Sequence, residues 1–86
     1  MVVTDLAKIK IQQLLQDNNA KYLKISLAGN NVDGFQTIIT FENEPIMEFI
    51  TITKSPLIVL DPRVYIKFAN CLFDFDTQAN ELKFQF

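Results

Sequence analysis

At 86 residues, 49% of them hydrophobic and eight of them Phe, the chain holds enough apolar side chains to fill one core without disulfides or a structural metal. Ten acidic residues against eight basic ones give a net charge of -2, and the cations are scattered from Lys8 to Lys83, so the phosphates of a nucleic acid find no basic stripe. One cysteine and no histidine exclude an intramolecular disulfide, histidine-ligated zinc or iron, and Ser-His or Cys-His nucleophile pairs.

Met1 to Val3 reads as a short strand or an extended lead-in. Thr4 or Asp5 then offers an N-cap oxygen to a helix whose apolar positions Ala7, Ile11, Leu14 and Leu15 fall on one stripe at 3.6-residue spacing, with Leu6 and Ile9 flanking it. Asp17, Asn18 and Asn19 stop that helix. From Leu23 to Phe41 the pattern is a β-hairpin. Leu23, Ile25 and Leu27 alternate with Lys24 and Ser26, a polar loop runs from Gly29 to Gly34, and Phe35, Thr37, Ile39 and Phe41 lie on one side of the returning pleat. Glu42 to Glu48 contains Pro45, which cannot donate to a ladder, and so reads as a surface connection. Phe49 to Thr53 alternates as a half-exposed strand, which Ser55 and Pro56 end.

Leu57 to Leu60 shows no alternation and is expected to be a strand covered on both faces. Asp61 with Pro62 opens a short helix, because Asp supplies a capping oxygen and Pro at the first helical position forfeits no bond. Val64, Tyr65 and Phe68 are predicted to share its inner face, ending near Asn70. Leu72 to Asp76, a turn over Thr77 to Asn80, and Glu81 to Phe86 make a second hairpin, with Leu82, Phe84 and Phe86 on the buried side. The sum is an α+β domain, mainly antiparallel β, spanning residues 1–86 as one unit with an N-terminal helix, β-hairpins and one short internal helix. No apolar run approaches the ~18 residues that cross a bilayer, and the opening residues have neither the basic nor the apolar part of a leader, so the expectation is a cytoplasmic protein.

Little in this chain is chemically reactive. Asp74 and Asp76 point to one face of a strand, as a cation-binding or acid–base pair would, but the solvated side of a strand that buries Phe73 and Phe75 explains them better. Asn30, Asn31 and Asp33 supply oxygens in the hairpin loop, without the spacing or the distal Glu of a calcium loop, and turn chemistry accounts for them. A lone Cys71 is most simply a small core residue.

The order of elements, the hairpin Leu23 to Phe41, the Glu42-Asn43-Glu44-Pro45 segment after it, Ile58 to Asp61 before a short helix, Leu72 to Phe75 and the final Phe84-Gln85-Phe86 together resemble the HesB/IscA-like A-type iron–sulfur carriers. In that family a Cys-Ser-Gly loop tip and a Cys-x-Cys pair near the C-terminus supply thiolates for iron or a cluster. Here the tip is Val32-Asp33-Gly34, the chain ends at Phe86 without the second pair, and Cys71 matches no ligand position. A cluster takes about four such ligands, so the resemblance implies a degenerate member with no catalytic, cofactor or metal residues. It implies a non-enzymatic accessory or regulatory protein-interaction domain, connected with iron–sulfur cluster biogenesis or sulfur metabolism. Such a domain would meet a protein partner through Asn30, Asn31, Val32, Asp33 and Gly34 and could form a homodimer. The alternative is a residual iron or iron–sulfur carrier that uses Cys71 from two subunits.

Overall fold

The computed structural model describes residues 1–27, 37–46 and 48–86. Thr4 sets the start of the first helix, α1 (Asp5–Asp17): its backbone is extended, and its hydroxyl oxygen accepts from the Ala7 N–H at 3.1 Å, satisfying a donor that the first turn leaves unpaired. The buried stripe is narrower than predicted. Ala7, Ile11 and Leu15 are buried, Leu14 is half-buried, and Leu6 and Ile9 face solvent. The helix ends where Asn18 donates to the Leu14 carbonyl from both its backbone and its side chain, and Asn19 turns the chain with a φ of 51°.

The hairpin forms as β2 (Tyr22–Leu27) and β3 (Thr37–Glu42), in a register that sets Leu23 opposite Phe41 and Ile25 opposite Ile39, so the two apolar faces coincide. Strands β4 (Ile50–Lys54) and β5 (Leu57–Leu60) complete a four-stranded sheet in the order β3-β2-β5-β4. They are joined through a cis Ser55–Pro56 bond, and the Thr53 hydroxyl donates to the Pro56 carbonyl. A smaller sheet holds β1 (Val2–Val3), β6 (Leu72–Asp76) and β7 (Glu81–Gln85), with β6 in the middle. Pairing is antiparallel except for β1 with β6 and β2 with β5, which run parallel.

Between the sheets lies one core, in which the α1 stripe and Val3 meet Leu23, Ile25, Ile58, Leu60 and Phe73. Phe73 stacks on Phe84 at 4.5 Å, and Phe68 meets Phe84 edge-on at 4.8 Å. On the other side of the larger sheet, Val59 is fully buried as well, which accords with its unalternated strand. Its cross-strand neighbours are Lys24 and Thr51, and the Lys24 ammonium lies 5.4 Å from the centre of the Phe49 ring.

Two expectations need correction. The internal helix begins as a 3₁₀ turn (Pro62–Val64) before the single α turn α2 (Tyr65–Phe68). Only Val64 and Phe68, four residues apart, turn inward, and Tyr65 is 43% exposed. Phe86 lies beyond the last rung of β7 and is 73% exposed, touching Phe68 with its ring at 5.2 Å but not filling the core.

Candidate functional site

The predicted partner contact, Asn30, Asn31, Val32, Asp33 and Gly34, lies with Phe35 outside the described residues. The structure does show how the strand entering that loop is held. Because β5 runs parallel to β2 with Leu60 beside Ile25, the next residue, Asp61, arrives at the end of β2. The Asp61 N–H donates to the Ile25 carbonyl at 2.8 Å, tying the turn after β5 to β2.

The same carboxylate caps the 3₁₀ turn through the Arg63 N–H at 2.9 Å and takes a forked pair from the guanidinium, Nε at 3.0 Å and Nη2 at 2.6 Å to Oδ2. Asp61 is 5% exposed, the buried charged residue among the described ones. Hydrogen bonding from the Arg63 side chain, aided by the backbone N–H groups of Arg63 and Leu27, outweighs burial and holds its carboxyl below the usual carboxylate range. Asp61 therefore stays ionised at neutral pH and has no proton to give as a general acid there.

Beside this clamp, Glu48 and Phe49 face Asp61, Pro62 and Arg63 across an open hollow of about 390 Å³. Among the described residues no hydroxyl or thiol lines it. The sequence marked Asp61 only as a helix cap. Its bond to Ile25 links residues far apart in the chain, and only the parallel pairing of β2 with β5 brings them together.

Asp74 and Asp76 share a strand face as predicted, and each is committed to local structure. The Thr4 hydroxyl donates to Asp74 Oδ1 at 2.7 Å, and Asp76 accepts from the Gln78 and Ala79 N–H groups of the following turn, with Lys83 Nζ 3.5 Å away. Both carboxyls titrate below their usual range, Asp74 chiefly through the Thr4 hydroxyl and Asp76 chiefly through the Ala79 N–H. A catalytic pair would instead have one member pushed up. Thr4→Ala should cost about 1 kcal/mol of stability by uncapping α1. It should also return the Asp74 midpoint upward toward an ordinary aspartate, which carboxyl-carbon NMR titration would read.

Cys71 is 2% exposed at the corner between α2 and β6, where its N–H donates to the Phe68 carbonyl at 3.2 Å and its carbonyl accepts from the Val2 N–H. Burial pushes its thiol up, away from the thiolate that a metal needs. For two copies to share a metal through Cys71, this corner would have to open. Among the described residues no group of three or more His, Cys, Asp or Glu side chains could hold a metal ion, and the lone thiol of the sequence does not fit a cluster. No helix among them is long and apolar enough to cross a membrane.

A capped N-terminal helix on a core of two small sheets, with a short internal helix before the final hairpin, is the HesB/IscA-like fold of the A-type iron–sulfur carriers, here in a sequence with a single cysteine. The chain is similar to the crystal structure of Escherichia coli SufA, described as involved in biosynthesis of iron–sulfur clusters, with a TM-score of 0.80 over 98% of this chain and 77% of SufA at 15% identity. It is similar to IscA with a 2Fe–2S cluster at a TM-score of 0.71, covering 98% of this chain and 82% of IscA at 15% identity. An Aquifex aeolicus protein solved by NMR gives a TM-score of 0.64 over 98% of this chain and 88% of that one, at 19% identity. Identities this low speak for the architecture alone. No family model matches the sequence, and comparison with curated proteins finds no significant match.

Proposed function

We propose that this chain is a non-catalytic accessory or regulatory domain that binds a protein partner, built on an iron–sulfur-carrier scaffold and unable to carry a cluster in the carriers' manner. Residues 1–86 act as one unit in this reading, alone or as a homodimer, in the cytoplasm. The link to iron–sulfur cluster biogenesis or sulfur metabolism comes from the likeness to SufA and IscA. The observation that carries the reading is the contrast between site and scaffold. The only thiol in the sequence is buried and there is no imidazole, yet the strand entering the hairpin loop is tied through the Ile25 carbonyl to the backbone of Asp61, whose buried carboxylate is held by Arg63. A scaffold held firm at a loop with no reactive side chain is suited to contact, with Asn30 to Gly34 as the contacting residues.

Pull-down with the whole chain, wild type against Asn31→Ala with Asp33→Ala, tests the loop: specific partners should be lost from the variant, and identical partner sets would count against it. Anaerobic reconstitution with iron and sulfide tests the absence of cargo. Substoichiometric iron and no visible chromophore are expected, whereas a brown, stoichiometric species that disappears in Cys71→Ser would favour the carrier reading.

A further inference from the structure

At the end of β2 away from the hairpin loop, the last turns of α1, the residues entering β2 and the turn joining β4 to β5 surround an open hollow of about 540 Å³. The length of β2, roughly 20 Å at ~3.3 Å per residue, separates it from the loop. Its walls are tied in place. The Asn43 side chain donates to the Asn19 carbonyl at 3.1 Å, the Lys21 N–H donates to the Glu42 carbonyl at 3.0 Å, and the Thr53 hydroxyl holds the Pro56 carbonyl.

Lys21 and Lys54 both line this hollow and, among the described residues, no acidic one does, although the sequence as a whole is acidic. Lys24 and Lys83 have carboxylate partners in Glu42 and Asp76, whereas Lys21 and Lys54 have none among the described residues. Gln12, Gln16, Asn19 and Ser55 add donors and acceptors that suit peptide groups, and buried Leu15 and Pro56 form an apolar floor. The volume is within the range of real ligand sites, about 300–1,000 Å³.

We propose that this hollow docks an acidic segment of a protein partner, with carboxylate side chains on Lys21 and Lys54 and main-chain groups on the surrounding amides. Two cations on an acidic chain give a nucleic acid no track of phosphate contacts, so a short acidic peptide is the ligand that matches. The proposal rests on the reading of the domain as protein-binding and adds a second contact at the opposite end of the sheet.

Fluorescence anisotropy of labelled hexaglutamate and hexaglutamine peptides against the whole chain tests it, at about 50 mM salt so that charge attraction is not fully screened. Saturable binding of hexaglutamate alone is expected, weakened about tenfold or more by Lys21→Glu with Lys54→Glu. The same charge change placed elsewhere, Lys8→Glu with Lys10→Glu, should alter affinity less than about twofold. The milder pair Lys21→Gln with Lys54→Gln, checked by circular dichroism, should weaken binding in the same direction. No saturable binding, or equal loss in the two charge-reversed pairs, overturns the proposal. Asn31→Ala with Asp33→Ala should leave peptide affinity unchanged, so a loop that captures a partner while hexaglutamate fails to bind would sink the hollow and spare the loop.

Discussion

Phe73→Ala is expected to lower the free energy of unfolding by about 3–5 kcal/mol, the cost of removing a fully buried aromatic ring and leaving a cavity that its neighbours fill only in part. Phe73 is fully buried on β6, the middle strand of its sheet, with Phe84 stacked on one side and the α1 stripe in the same core. A domain of this size has roughly 5–10 kcal/mol in total, so the variant should be marginal, its melting temperature lower by at least about 15 °C. Phe86→Ala is the control. That ring is mostly exposed, and its loss should fall within about 0.5 kcal/mol. Urea unfolding followed by circular dichroism separates the two, and equal small losses would mean that the core does not lie where the sheets and α1 converge.

Asp61→Ala should produce the next largest effect, about 2–3 kcal/mol at pH 7. It removes a helix cap and the charge-assisted bonds to Arg63, while the exposed position of the guanidinium keeps that pair's own share small. The direction with pH follows from the lowered carboxyl. A group that ionises more readily folded than unfolded stabilises the fold above its unfolded value of about 3.9, and that contribution is lost as pH falls through the lower folded value. The gap between wild type and Asp61→Ala should thus be full at pH 7 and narrower at pH 3. A gap that widened in acid would contradict the clamp. Exchange of the Arg63 amide, which donates to the Asp61 carboxylate, should quicken in the variant.

Much of this architecture is legible along the chain because the information is local. Thr4 caps the helix within three residues of itself, Leu23, Ile25 and Leu27 announce their buried face by alternation, and the unbroken Leu57–Leu60 run foretells a strand with no wet side. The same locality explains the failures at Tyr65 and Phe86. Periodicity says that a residue can face inward, whereas the tightness of a 3₁₀ turn and the last rung of a ladder decide whether it does.

The sequence by itself determined the α+β class, the count of one thiol in these 86 residues and the resemblance from which partner contact at Asn30 to Gly34 is proposed. Tertiary structure alone decided that β2 and β5 lie side by side in parallel, that Asp61 therefore bonds to Ile25, and that Lys21 and Lys54 line one hollow. Residues distant in the chain become neighbours only when strands choose partners, and that choice is made by the shared burial of whole faces, which no short stretch of sequence records.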